Sequence, residues 1–435
     1  MMTPLRTERH HPLHEQLKNT FDLKETYVEF EIFDNVGEEY YANFKTKLKN
    51  HPNYESIKHK YFFDDPSYSF LKIFNAKPWA EYDGISDGRR DFYPICSKAE
   101  IIRIFEPKNN QDYLLQYRAS RVMSSSRLKK TFYKLMDVAG ADWNFESFFA
   151  SHLFDEYMDL LPALKREQCS SVVGGFANSD SANGYCIKVP SGSIVVVSAA
   201  LKHFLYYMNL FHNSDSFEME EAGFQSFLIA IRTMLGTETF DFEADSRGEV
   251  PAEFHELLEE KTNDQLLFII GHEYAHHYLG HLHSGHLVNA IADVNTQFEN
   301  KFYSYSQRAE FEADIASITA PDVIEVYRKT LTQCACDFFF YVDLFQAVQE
   351  YIFPSASSYK THPSPLDRIA NLNQTFPTYL NSEDYQLENA MKYFQDLKAS
   401  MLTEFLPFNI EGLEQYGSVY LNPALVRNKI DHIDY

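Results

Sequence analysis

The string His272-Glu273-Tyr274-Ala275-His276 constrains this chain more than any other five residues in it. Successive residues of an α-helix lie about 100° apart, so the two imidazoles project from one face and can reach a single ion. Glu273 points partly toward the same face. Neutral imidazoles suit a borderline-soft divalent metal, and zinc held by three protein ligands with one position open lowers the pKa of water to roughly 7. A neighbouring carboxylate can then take the proton. The competing reading is a buried helix whose histidines are satisfied by core hydrogen bonds.

The preceding stretch, Asp264 to Gly271, reads as a helix start. Asn263 or Asp264 can cap it and Leu266-Leu267-Phe268-Ile269-Ile270 can bury its first turns. Continuation through Tyr278 and Leu279 to Gly280, a suitable C-terminal residue, gives an expected helix of about four to five turns.

A zinc ion needs a third protein ligand, and the chain offers further histidines or a downstream carboxylate. His281, His283 and His286 do not follow the metzincin spacing, because Leu279 and Leu282 stand where that pattern has glycine and histidine. With His277 they read as a solvated helix end and loop, the alternative being a substrate or accessory metal contact. In Gln307-Arg308-Ala309-Glu310-Phe311-Glu312-Ala313-Asp314, a run of helix formers, Glu310 and Asp314 share a face. Glu310 would complete a shell of two histidines and one glutamate. Asp314 could accept the outer N–H of a ligating imidazole. Ala313 permits close approach, and Glu312 faces elsewhere. Taken alone, the segment reads first as a solvated acidic face. Asp241-Phe242-Glu243-Ala244-Asp245 has a similar texture but, near Gly248 and Pro251, reads as loop.

In order and spacing, HEYAH, then Glu310-Phe311-Glu312-Ala313-Asp314, then Thr361-His362-Pro363-Ser364-Pro365-Leu366-Asp367-Arg368-Ile369 resembles the gluzincin metallopeptidases of the HtpX and CAAX prenyl endopeptidase family. The resemblance implies a zincin-like fold and one zinc ion per chain, with His272, His276 and Glu310 as ligands. It further implies Glu273 as general base, Asp314 behind the ligands, and His362 and Arg368 at the cleft in substrate positioning or transition-state support. Read locally, Ser364-Pro365-Leu366-Asp367 is also an ordinary helix start: serine cap, proline in the first turn, aspartate three residues on. Asn183 to Leu201 reads as two strands joined by a Pro-Ser-Gly turn, similar to the small sheet that borders the cleft in family members. An edge strand there could hold an extended peptide by main-chain hydrogen bonds. Ala275 replaces the glycine usual between the histidines, and Leu201 to Asp264 is longer than the family's usual spacing, with an acidic insertion read as a lid or flexible loop.

The expected architecture is α+β and mainly helical: an active-site helix, a glutamate helix and a small sheet, with an added aromatic-rich N-terminal region. We divide the chain into residues 1–160 of unknown role, a metallopeptidase domain over 161–380 with the acidic insertion near 212–262, and a helical or irregular appendage over 381–435. In the first region Phe30, Phe33, Tyr40, Tyr41, Tyr61, Phe62, Phe63 and Trp79 read mostly as core. After Pro321 an apolar stripe through Val323, Val326, Leu331, Cys334, Phe338, Val342, Phe345 and Val348 indicates long amphipathic helices.

At 435 residues the chain can bury a large core without help from metal. Its 39 basic and 62 acidic side chains, a formal net charge of −23, argue against nucleic acid as a partner. The basic run Arg118 to Lys134 reads as a solvated face or a dock for an acidic partner. Five cysteines suggest no disulfide framework and fit a reducing, cytoplasmic compartment. The histidines at 10, 11 and 14 read as a frayed start without the apolar core of a secretion signal, and no run of eighteen apolar residues marks a membrane span. The function expected is a soluble zinc endopeptidase acting on a protein or peptide substrate. The alternatives are a defence- or toxin-type protease with one target, or a silent zincin-fold binding or regulatory protein.

Overall fold

A computed structural model describes residues 92, 95–139, 142–178, 183–217, 219–283, 306–354 and 362–422, and backbone strands at 4–6, 26–33, 62–65, 69–75, 286–289 and 301–304. The chain divides into two compact units, Met1–Lys98 with Asn428–Tyr435, and Ala99–Arg427. In the first, strands β1 (Pro4–Arg6), β2 (Thr26–Phe33), β3 (Phe62–Asp65) and β4 (Ser69–Asn75) form an antiparallel sheet in the order β1-β2-β4-β3. The aromatic side chains expected to be core there lie outside the described residues, as do the histidines at 10, 11 and 14.

The second unit is mainly helical around a three-stranded sheet, the α+β arrangement expected. Strands β5 (Val172–Ala177), β6 (Gly184–Val189) and β7 (Gly192–Ser198) run in the order β5-β7-β6, with β7 parallel to β5 and antiparallel to β6. The β6–β7 hairpin is the expected strand pair. Side chains alternate across a strand, and on β7 both faces are covered. Val195 and Val197 enter the main core, while Ile194 and Val196 pack with Leu114 and Tyr117 of helix α1 (Asn110–Ser124). Burial on both sides is why the strand reads as an unbroken β-branched run. β5, whose Gly174 and Gly175 blunt the strand signal, was not foreseen. The reading of the basic run as a solvated face needs correction: Arg118 is buried and donates to the Phe176 carbonyl of β5 at 2.7 Å, and Lys129 is buried too.

After the sheet come α2 (Ala199–Asn213), α3 (Glu220–Leu235), α4 (Ala252–Tyr278), α5 (Gln307–Thr319), α6 (Glu325–Ile352), α7 (Pro365–Thr375) and α8 (Leu387–Ser400). Helix α4 is 27 residues long and starts well before the expected cap. Pro251, with its fixed φ, leads into a first half rich in helix formers. Asp264 does not cap; its carboxylate accepts the Tyr327 hydroxyl at 2.9 Å, and Lys261 pairs with Asp337 at 2.8 Å. These tertiary partners hold the first half of α4 against α6. From Leu266 to His276 every residue is buried, so the face that carries both histidines lies in the interior and not on a surface helix. The helix ends as expected: Gly280 takes φ +75°, a conformation that favours glycine.

The acidic insertion, expected as a lid or flexible loop, instead packs into the core, where Phe227, Ile229, Ala230 and Ile231 are buried. Its first part is α3, and the connection to α4 is pinned by Arg247, which is fully buried and reaches Glu238 at 3.0 Å and Asp241 at 2.7 Å. Arg232 takes the other oxygen of Glu238 at 3.0 Å. Asp241 to Asp245 forms neither helix nor strand, as expected. Of the expected stripe, Leu331, Cys334, Phe345 and Val348 are buried along α6, Phe338 and Val342 are half-buried, and Val326 is exposed. The C-terminal stretch joins the core, with Phe394 of α8 stacked on Phe340 at 4.7 Å between ring centres. No disulfide links the five cysteines, all of which are buried. Among the described residues no helix is long and apolar enough to cross a membrane.

Candidate metal centre and active site

Helical spacing on α4 aims His272 and His276 to the same side, where their Nε2 atoms stand 3.0 Å apart. Helix α5 starts at Ser306, whose hydroxyl accepts the Ala309 N–H at 3.2 Å. That cap places Glu310 in the first turn, facing α4. Its two carboxylate oxygens lie 3.5 Å from the two Nε2 atoms, one each. Zinc bonds of about 2.0–2.2 Å in a tetrahedral shell separate ligand atoms by roughly 3.3–3.6 Å. Ligand atoms from the three side chains all fall within 4.8 Å of one another. Among the described residues Glu310 Oε1 is buried and accepts no hydrogen bond. A buried carboxylate oxygen left so costs about 1–3 kcal/mol or more, unless a cation sits beside it. The donor set therefore fits a divalent ion. Burial, with His272 close by, holds the His276 pKa well below its ordinary value, and a neutral imidazole is the ligating form. Burial alone would raise the Glu310 carboxyl, but hydrogen bonds to His272 and His362 hold it well below the usual range.

Behind the centre, Asp314 lies one turn beyond Glu310 and is fully buried, with Oδ1 2.9 Å from His272 Nδ1. Helix α7 supplies the counter-charge. It begins as its sequence indicated: Ser364 Oγ accepts the Asp367 N–H at 3.1 Å and Pro365 occupies the first turn. Arg368, the residue expected at the cleft, spends its guanidinium on Asp314, with Nε donating at 2.8 Å and a second nitrogen donating to the other oxygen. It also lies over the Phe339 ring at 4.3 Å. His362 is 42 % exposed in its side chain, with Nδ1 2.8 Å from Glu310 Oε2. Thr361 lies outside the described residues.

Glu273 faces the opening beside the histidines and touches Gly184 at the start of β6, where an added Cβ would come 2.9 Å from Glu273 Oε1. The hairpin's first residue thus has to be glycine for the carboxylate to lie where it does. Burial pushes the Glu273 carboxyl up to about 7, the range in which a proton acceptor works near neutrality.

One contact corrects the reading of the later histidines as solvated. After Gly280 the chain turns back through the short helix His281–His283, and His281 is buried with Nδ1 2.9 Å from His276 Nδ1. Its Nε2 lies 3.4 Å from Glu312, which Arg308 holds at 2.7 Å. Glu312, read as facing elsewhere, faces His281. His277 is half-buried, and the His283 and His286 side chains lie outside the described residues. The only trace in the sequence was the glycine before His281, which permits the reversal. His281→Ala is expected to weaken zinc binding about 10- to 100-fold, because the contact of His281 that orients the His276 ring from its outer side is removed; competition with a chelating dye measures it.

Residues 162–376 match the family model of Peptidase family M48. The match covers both histidines, Glu310, Asp314, His362 and Arg368, and supports a zinc metallopeptidase: the chain is an enzyme that hydrolyses peptide bonds. No curated protein and no solved structure matches the chain.

Proposed function

We propose that this metallopeptidase is a zinc endopeptidase of the gluzincin kind, in the HtpX and CAAX prenyl endopeptidase branch, with one zinc per chain held by His272, His276 and Glu310. The observation that carries this reading is the buried, unpartnered Glu310 oxygen standing 3.5 Å from an imidazole nitrogen that burial keeps neutral. When bound, zinc would polarise the scissile carbonyl and bring the pKa of water to roughly 7.

The chain's own residues do the rest. Glu273 takes the proton of the attacking water and delivers it to the departing amine. Asp314 accepts the Nδ1–H of His272, which orients the ring so that Nε2, the nitrogen that donates toward Glu310 in the metal-free chain, would give up its proton and turn its lone pair to the ion. Arg368 keeps Asp314 ionised in a buried place, so its role is positioning. His362, half-exposed at the rim, is suited to hold the substrate or the charge that grows on the carbonyl oxygen.

The test is cleavage of an unfolded protein by the full chain. Chelation is expected to abolish it and one equivalent of zinc to restore it. Undiminished cleavage by metal-free protein would remove the proposal.

A further inference from the structure

The two imidazoles of the metal centre are held from behind in different ways. His272 Nδ1 meets a buried carboxylate directly, Asp314 Oδ1 at 2.9 Å. His276 Nδ1 meets a second imidazole, His281 Nδ1, also at 2.9 Å. From there the chain of contacts runs outward: His281 Nε2 lies 3.4 Å from Glu312 Oε2, and Arg308 Nε donates to the other oxygen, Oε1, at 2.7 Å. Arg308, Glu310, Glu312 and Asp314 all stand on α5, and residues four apart on a helix share a face. One face brings Glu310 and Asp314 to the metal centre, and another brings Arg308 and Glu312 to the turn after α4. His281 is buried there, whereas the Glu312 side chain is 45 % exposed and that of Arg308 88 %.

We propose that Glu312, held by Arg308 and acting through His281, is a positioning residue that selects the metal-ligating tautomer of His276. The inference rests on the assignment of His276 as a ligand and adds a control on where that ligand keeps its proton. A neutral imidazole has one N–H donor and one bare nitrogen, so where two of them meet one Nδ1 donates and the other accepts. For Nε2 of His276 to offer a lone pair to an ion, its proton has to sit on Nδ1. His281 Nδ1 is then the acceptor, and the proton of His281 sits on Nε2, facing Glu312. An ionised carboxylate accepts and never donates. Glu312 therefore favours this order and disfavours the reverse one, in which His276 carries its proton on Nε2 and cannot ligate. The far side of His276 agrees. Glu310 Oε1, 3.5 Å from its Nε2, accepts no hydrogen bond among the described residues, as a bare nitrogen requires. Glu312 thus does for His276, through one intermediary, what Asp314 does for His272 by direct contact.

Glu312→Gln tests it on the full chain, because the amide keeps the length of the side chain but can turn either a donor or an acceptor toward His281. Competition with a chelating dye is expected to show zinc binding weakened about three- to tenfold, less than for a directly bonded partner because the contact is partly solvated. In the His281→Ala background the same change is expected to have no further effect, since residues that act through one another are not additive. A second readout needs no metal. The nitrogen NMR spectrum of metal-free protein with isotope-labelled histidine, assigned with His281→Ala, is expected to show His276 protonated at Nδ1 and His281 at Nε2. In Glu312→Gln a mixture of tautomers is expected at both rings, a change that general loosening of the fold does not single out. An equal loss of affinity with and without His281, or tautomers that Glu312→Gln leaves unchanged, would overturn the relay and leave the ligands standing. A wild-type chain that takes up no zinc would instead remove the peptidase reading, and the tautomer spectrum would still decide the relay.

Discussion

Replacing Glu273 by glutamine is expected to lower peptide cleavage by about 10²- to 10⁴-fold, the usual contribution of a positioned proton acceptor, and to leave zinc bound. The amide keeps the shape of the side chain beside Gly184 but cannot take a proton near neutral pH. Nothing in the His272, His276 and Glu310 set is touched. The check pairs initial rates on an unfolded protein with metal content of the same preparation. Full turnover by the variant would remove Glu273 from the role. Loss of zinc together with activity would show that its carboxylate belongs to the metal shell.

The second large effect is expected at Arg368. Asp314 is fully buried, and Arg368 and His272 are the partners that hold its charge. Removing one member of a buried ion pair strands the other, which typically costs about 3–5 kcal/mol. Arg368→Met is therefore expected to lower unfolding stability by roughly that amount and to weaken zinc binding about 10- to 100-fold through His272. Lysine cannot reproduce the fork that engages both oxygens of Asp314, so Arg368→Lys is expected to rescue little. The double variant Asp314→Asn, Arg368→Met should be more stable than Arg368→Met alone, because no unpaired charge is left. Denaturant titration of the set decides it. A loss below about 1 kcal/mol for Arg368→Met would mean the pair behaves like a surface salt bridge.

The two predictions differ in how visible their residues were beforehand. It was the family resemblance that grouped the two segments with Glu273 into one site. Helical periodicity puts His272 with His276, and Glu310 with Asp314, on one face of each helix, and Ser306 and Ser364 start their helices locally. The hairpin was legible for the same reason: its turn residues and β-branched run need no distant partner. Arg368 was visible as a motif position, but its engagement with Asp314 depends on how α7 packs against α5. The start of α4 was misplaced because Asp264 is a good cap by composition. Its partner Tyr327 lies 63 positions away, beyond any local signal. Arg247 sits in what reads as an acidic loop, yet Glu238 and Asp241 fold back to neutralise it in the interior. His281 was hidden by the same kind of reversal, in which one glycine turns a frayed helix end onto the second histidine. Local chemistry thus reaches the helix faces and caps, and contacts across helices carry what it misses.

The atoms that surround the metal decide the assignment, and zinc K-edge absorption fine structure of the zinc-loaded full chain reads them directly. Two imidazole nitrogens with oxygen as the remaining neighbours are expected, unchanged in Glu273→Gln and disrupted in Glu310→Ala. His281 stands against His276, and His362 against Glu310. A third imidazole, a sulfur, or a spectrum indifferent to Glu310→Ala would contradict the assignment.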